Sequence, residues 1–239
     1  LDTTDSRILM ELDQLYKKLD YPAQQRLDHL RRYPELIAQR DDLILEEITL
    51  LNITGHYEEA MSKLDAHIFH PWEGGEGKVT EQYQFSRIKL SEKAILEGKP
   101  LRAVQLLEQC LVYPHNLGEG KLYCAQEQDI YYLLGCAWDE ASEKEKAVAC
   151  FTKASQGDLQ PATALYYNDA KPEKIYYQGL AMKKLGRDTE AQERFNSLIN
   201  FGRTHIDDHI VMDYFAVSLP ELAIWDEDLD TRNKKECQY

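Results

Sequence analysis

The sequence predicts an all-α fold: an α-α superhelix of helical hairpins joined by long loops. Three observations predict it. Apolar residues recur with helical rather than alternating period. A small residue returns at a nearly constant interval through most of the 239 residues. Segments rich in Gly, Pro, Asn and Asp fall between the periodic stretches.

The elements follow in order. "SRILMELDQLYKKL" places Ile8, Leu9, Leu12, Leu15, Tyr16 and Leu19 on one helical face. Pro22 suits the first turn of a second helix. Residues 1–40 are poor in consensus and are expected to form an atypical helix pair capping an array. "PELIAQRDDLILEEITLL" begins the first clear repeat.

Four segments then align: "LLNITGHYEEAMSKL", "KAILEGKPLRAVQLL", "CAWDEASEKEKAVACF" and "LAMKKLGRDTEAQERF". Each has an alanine early in a second helix, at Ala60, Ala103, Ala147 and Ala191, with separations of 43, 44 and 44. Four residues later comes a large apolar side chain: Leu64, Leu107, Phe151 or Phe195. Five residues before the alanine stands Gly55, Gly98 or Gly186, with Ser142 in the third segment. A glycine there ends the first helix, because a left-handed conformation costs it nothing sterically. The alanine lets paired helices approach, and the larger side chain one turn on fills the space between them. Gly135 and Gly179 lie inside first helices. Each weakens its helix by about 1 kcal/mol relative to alanine, so a neighbouring helix is expected against it.

These features resemble the tetratricopeptide repeat. "YYLLGCAWDEASEKEKAVACFTKA" is the best match, with Leu134, Gly135, Trp138, Ala147, Phe151 and Ala154 at consensus positions. The usual period is about 34 residues, so the excess is expected in the connectors "HPWEGGEGKVT", "YPHNLGEGKLYCAQ" and "QGDLQPATALYYNDAKPE". Repeats are expected at about 41–80, 81–124, 125–170 and 171–203, with 204–239 a link and the start of a further, truncated repeat.

Composition narrows the function classes. Apolar residues make up 43% and charged residues 29%, a globular balance. No apolar run approaches the roughly 18 residues of a membrane-spanning helix. A formal net charge of −14 argues against nucleic acid and anionic membrane surfaces as partners. The five cysteines, Cys110, Cys124, Cys136, Cys150 and Cys237, form no CxxC pair. They suggest neither a disulfide framework nor a zinc ribbon, and fit a reducing compartment better than a periplasm.

Five motifs in order, "HPWEGGEGK", "YPHNLGEGK", "LYYND", "YYQGLAMKKLGR" and "DYFAVSLPE", resemble the C-terminal tetratricopeptide region of large bacterial proteins. Those proteins begin with a domain of the DUF five-one-zero-seven family, related to the β-sandwich of galactose mutarotases. The resemblance covers nearly the whole chain. It implies that the array continues past Tyr239 and that any catalysis belongs to the N-terminal domain.

"GGEGK" is not a nucleotide loop, because Val79 follows Gly77-Lys78 and no strand precedes it. The pattern P-x-x-x-G-E-G-K runs from Pro71 to Lys78 and again from Pro114 to Lys121, a shift of 43. It is either a structural connector stacked on its equivalent in the next repeat, or a ridge that binds a ligand. In the second case Trp72, Glu76, Lys78, His115, Glu119 and Lys121 are the members, and their aromatic and carboxylate groups suit a sugar. "HIDDH" puts His205 and His209 four apart, on one face if helical, with Asp208 beside them. Capping by Asp207 or Asp208 is the alternative to a metal site, and no metal or cofactor is expected.

The 15 tyrosines include the doublets Tyr131-Tyr132, Tyr166-Tyr167 and Tyr176-Tyr177. Tyr132 and Tyr176 hold equivalent places in successive repeats. By resemblance to tetratricopeptide arrays these two would line the concave groove, together with Asp42, Thr49, Asn52, Glu92, Asp139 and Lys183. Packing between repeats is the alternative. No Ser-His-Asp, Cys-His, GxSxG or GxGxxG arrangement is present, so no catalytic residue is expected. The expectation is a non-enzymatic scaffold that holds a peptide, a protein or its own N-terminal β-sandwich. The alternative is the accessory region of a carbohydrate-active protein whose connectors shape a glycan site.

Overall fold

In the computed structural model, residues 5–72, 74–161, 171–210 and 228–238 are described. Every regular element among them is helical. In order these are α1 (Ser6–Lys18), α2 (Ala23–Leu30), α3 (Pro34–Ile37), α4 (Asp41–Ile53), α5 (Tyr57–Ala66) and α6 (Lys78–Leu96). There follow α7 (Pro100–Cys110), α8 (Gln128–Glu140), α9 (Lys144–Ala154), α10 (Pro172–Lys184), α11 (Asp188–His205) and α12 (Leu229–Gln238). The all-α class expected from the sequence, built of successive helical hairpins, is what the described residues show.

One turn design joins the hairpins. Asp20, Gly55, Gly98, Ser142 and Gly186 have φ of 54°, 84°, 70°, 63° and 72°. At Gly55 the turn N–H donates to Asn52 O at 3.2 Å and the next N–H, of His56, to Leu51 O at 2.8 Å. Ser142 does the same toward Asp139 O (3.0 Å), followed by Glu143 toward Trp138 O (2.9 Å). These are Schellman closures, which satisfy the last carbonyls of the first helix. Ser142 therefore adopts the conformation of the three glycines despite its Cβ.

The seam of each hairpin is equally regular. The fourth residue of the second helix is Arg26, Ala60, Ala103, Ala147 or Ala191, and the eighth is Leu30, Leu64, Leu107, Phe151 or Phe195. The four alanines are buried, as are Leu30, Leu64, Leu107 and Phe151, while Phe195 is half-buried. A Cβ added to Gly135 would lie 2.4 Å from Phe151 Cε1, and one on Gly179 2.5 Å from Phe195 Cε1. The helix-weakening glycines thus exist to seat the aromatic ring of the partner helix.

The chain divides into two compact units. The first comprises Leu1–Leu90 and Tyr113–Gly120, the second Ser91–Val112 and Lys121–Tyr239. The core of the first is built around Leu27, Leu43, Ile48, Leu51 and Leu64, all fully buried. Beside it lies an ionic element: buried Arg26 holds buried Asp13 through Nε (3.1 Å) and Nη2 (2.6 Å), and reaches Glu46 at 2.5 Å. The second unit has a smaller cluster of Ala147, Phe151, Ala154 and Ala181, packed by Tyr131, Tyr132 and Trp138.

Two expectations need correction. The single apolar face of α1 splits. Leu9 turns into the core and Tyr16 is half-buried, while Leu15 and Leu19 are 50% and 59% exposed. Leu9 and Tyr16 lie about a quarter-turn from the line through Leu12, Leu15 and Leu19, so one helix side cannot bury both sets. "HIDDH" is also not one helical face, because α11 ends at His205. Pro220 and its apolar runs, and the doublet Tyr166-Tyr167, lie outside the described residues.

Candidate functional site

The site begins with the seam of the second unit. Because Gly135 admits the Phe151 ring, Tyr132, one turn away on α8, comes to 5.9 Å from it, tilted by 49°. The next hairpin repeats this: Tyr176 lies 5.8 Å from Phe195, also tilted by 49°. Tyr177 joins the two, at 5.6 Å from Tyr132 and 5.8 Å from Tyr176. The result is a row of five rings across α8–α11, each pair tilted or edge-on, away from the face-to-face stacking that aromatic quadrupoles disfavour.

Charge flanks the row. Asp139 pairs with Lys144 at 2.5 Å and lies 4.0 Å from Lys184. Its hydrogen bond with Lys144 holds the carboxyl below the usual carboxylate range. Burial pushes the Tyr132 phenol well above its ordinary value, with the neighbouring Cys136 adding to the effect. Burial does the same for Tyr177, helped by the carboxylates of Asp129 and Glu92. Burial also pushes the Cys136 thiol up, which disfavours its thiolate. The arrangement offers apolar area, phenolic hydrogen bonds and charge.

The structure gathers Glu92, Tyr132, Asp139 and Tyr176 in the second unit, with Tyr176 47% exposed. Lys183 is exposed on α10, two turns beyond Tyr176 on the same side. The groove residues of the first unit are engaged internally. Asp42 accepts two bonds from Arg40 (2.9 and 2.6 Å), and the Thr49 hydroxyl donates to Leu45 O at 2.8 Å. Asn52 is corrected outright as a groove residue. It is buried and donates to Gln82 Oε1 at 2.9 Å, because that side of α4 meets α6. Sequence reasoning missed Tyr177. Its only signal was the doublet itself, which does not say which member meets the preceding repeat.

The two glycine-rich connectors do pack against each other within the first unit. Phe69 N–H donates to Asn116 O at 2.7 Å, and Asn116 Nδ2 donates to Leu64 O (2.9 Å) and His67 O (2.8 Å). Glu119 accepts the Gly77 N–H at 3.1 and 3.0 Å, at the start of α6. Burial pushes its carboxyl up, partly opposed by that bond. Trp72 packs against the core and against Gly75, where a Cβ would lie 2.3 Å from its ring. Glu76 and His115 are exposed and Lys78 is half-buried. Lys121 belongs to the second unit, where it pairs with Glu127 at 2.5 Å and donates to Leu111 O at 3.0 Å.

Four of the seven histidines are engaged by carboxylates. His205 Nδ1 lies 2.6 Å from Asp208, and His209 Nδ1 2.8 Å from Asp230 in the first turn of α12. His67 and His70 share Asp41, at 2.7 and 3.1 Å. Burial pushes the Asp41 carboxyl up, but the hydrogen bonds from His67 and His70 outweigh it and hold it below the usual range. Among the described residues no three His, Cys, Asp or Glu side chains form a metal-holding group. No helix of those residues is long and apolar enough to cross a membrane.

No known protein-family pattern matches the chain. Among solved structures it is similar to a MamA protein from Desulfovibrio magneticus RS-1, from residue 41 to its end. The identity is 15%, over 85% of this chain and 97% of that one, with a TM-score of 0.45. It is similar also to a MamA RS-1 ArsTM double mutant, at 15% identity over the same shares, with a TM-score of 0.46. Both likenesses are too loose to bear on function.

Proposed function

We propose that this chain is a non-enzymatic scaffold that holds a protein segment on the α8–α10 side of its second unit. The observation that supports this is the ring row, whose most exposed member, Tyr176, lies on the helix that also carries Lys183 and Lys184, the second of which sits over the Phe151 ring and 4.0 Å from Asp139. Tyrosine at an edge supplies apolar area with a polar tip, the combination that anchors protein interfaces. The resemblance to bacterial proteins with an N-terminal β-sandwich makes that domain the first partner to test.

The test titrates the separately produced β-sandwich domain against the chain and against Tyr176→Ala, Lys183→Glu and a distant control, Tyr123→Ala. Expected is at least about a tenfold weakening for the first, as for a buried interface aromatic, a smaller loss for the second and none for the control. Equal binding by all four proteins sinks the groove reading. The glycan alternative draws on ridge side chains of which Trp72 and Glu119 already serve internal contacts. A glycan panel bound by the chain and lost with Glu76→Ala and Lys78→Ala would restore it.

A further inference from the structure

We infer that a slot on the first unit, between the α2–α3 segment and the last turns of α5, binds a small monocarboxylic acid with an apolar body. The slot has a local origin. α2 stops after 8 residues, where the second helices of later hairpins run to 10, 11, 11 and 18. The chain then turns into the one-turn α3 instead of continuing as a helix. A cavity of about 330 Å³ opens there. Its apolar lining includes Ile37 and Ala38 beside α3, Ile44 on α4 and Ala66 at the end of α5. Its polar lining is Arg31, Glu47, Lys63 and His67. Lys63, Ala66 and His67 share one side of α5, because they are three and four residues apart.

The polar side chains are matched within the chain but not used up. Arg31 makes both its contacts with Glu59 from one nitrogen, Nη2, at 2.6 Å each. Among the described residues nothing accepts from its Nε or Nη1. Lys63 donates to Glu47 Oε2 at 2.9 Å, one bond from an ammonium that carries three N–H groups. His67 meets Asp41 through Nε2 at 2.7 Å. The capacity left in the lining is therefore chiefly N–H, which calls for an acceptor.

Glu59 shows which acceptor fits. It is a carboxylate already held at this guanidinium, and the pair is open to water, with side chains 35% and 46% exposed. An ion pair so exposed is weak. A contact through one nitrogen also falls short of the two-nitrogen fork that arginine forms best with a carboxylate. A ligand carboxylate entering from the slot takes that fork, accepts a further bond from Lys63 and leaves Glu59 to water. Its body covers Ile37, Ile44 and Ala66, an apolar contact that Glu59 does not supply. Charge sets the class. Buried Glu47 lies in the same lining, with Asp41 and Glu59 at its edge, so a dianion such as phosphate is repelled. An alkylamine meets Arg31 and Lys63 instead. The volume is at the small end for ligand sites and suits about ten non-hydrogen atoms, the size of octanoate or 3-phenylpropionate. The site lies wholly within the first unit and is independent of the ring row.

Calorimetric titration of the 239-residue chain with octanoate, 3-phenylpropionate, octylamine and inorganic phosphate tests it. Expected is saturable binding of the two acids with Kd on the order of 0.1 mM, a modest affinity for ligands of this size. Octylamine and phosphate should bind at least about tenfold more weakly. Arg31→Met should weaken octanoate by about tenfold or more. Glu59→Gln should tighten it by about threefold, because the competing carboxylate is gone. Ala66→Phe should abolish binding of both acids by filling the slot. Arg31, Glu59 and Ala66 are exposed, so the helical circular-dichroism signal should persist in all three variants. No saturable binding of either acid overturns the inference. So does octylamine binding as well as octanoate, which would make the slot a merely apolar surface. Weaker binding by Glu59→Gln overturns it too, since Glu59 would then build the site rather than compete for it. Binding unchanged in Arg31→Met or Ala66→Phe would place the acid elsewhere and likewise overturn it.

Discussion

The α1–α2 hairpin and the α8–α9 hairpin share one backbone plan and fill it with opposite chemistry. Both close on a non-glycine residue in the left-handed region, Asp20 and Ser142. Both present a fourth and an eighth residue to the seam. In α8–α9 these are Ala147 and Phe151, and the ring enters the space left by Gly135. In α2 the fourth residue is Arg26, whose guanidinium reaches across to buried Asp13. A repeat backbone therefore tolerates either a dry seam or an ionic one. What it does not tolerate is half of either: a ring without its glycine, or a buried carboxylate without its arginine.

The largest effect should come from breaking the ionic seam. Arg26→Ala leaves Asp13 buried without its partner and should cost about 3–5 kcal/mol, read by chemical denaturation. Arg26→Met combined with Asp13→Leu removes the buried pair and leaves only the partly buried Glu46 without its arginine, so it should recover much of that loss. If the double variant is as unstable as the single one, the seam is not a self-contained pair.

Next comes the dry seam. Gly135→Ala gains helix propensity of about 1 kcal/mol, yet it forces a methyl into the Phe151 ring and should destabilise by about 1–3 kcal/mol net. Gly179→Ala should cost less, because Phe195 is half-buried and has room to move. Equal costs at the two glycines would show that ring mobility does not set the penalty.

The smallest effect concerns the turns. Ser142→Gly relieves about 1–2 kcal/mol of left-handed strain but adds about 0.4–1 kcal/mol of chain entropy to the unfolded state. A net gain of about 0.5 kcal/mol is expected, seen as a small rise in melting temperature. Asp20→Gly should match it. A loss at either position would mean that its side chain does more than occupy the turn.

Much of the fold was legible in the sequence. The alanine spacing, the glycine before it and the large residue after it located four turns and four seams, because backbone closure and helix approach depend on local side-chain size. The glycine-rich echo likewise anticipated two connectors that pack together. The α1–α2 hairpin was legible as an atypical helix pair but not as a member of the same register. Arg26 stands where the pattern expects alanine, and only its distant partners Asp13 and Glu46 make a buried arginine tolerable. The ring row was half legible. Equivalent tyrosines were found by period, but Tyr177, which links them, is chosen by the neighbouring hairpin. The same is true of Asn52, which reads as a groove residue until α6 covers it.

The sequence by itself determined that this chain folds as helical hairpins of a particular length, with turns at set places, because those features are encoded within a few residues of one another. Only the tertiary structure decided which apolar side chains are covered. Leu9 and Leu15 are equally apolar and six residues apart. One is buried and the other half-exposed, because burial depends on which other helix arrives, and nothing within a single helix specifies that.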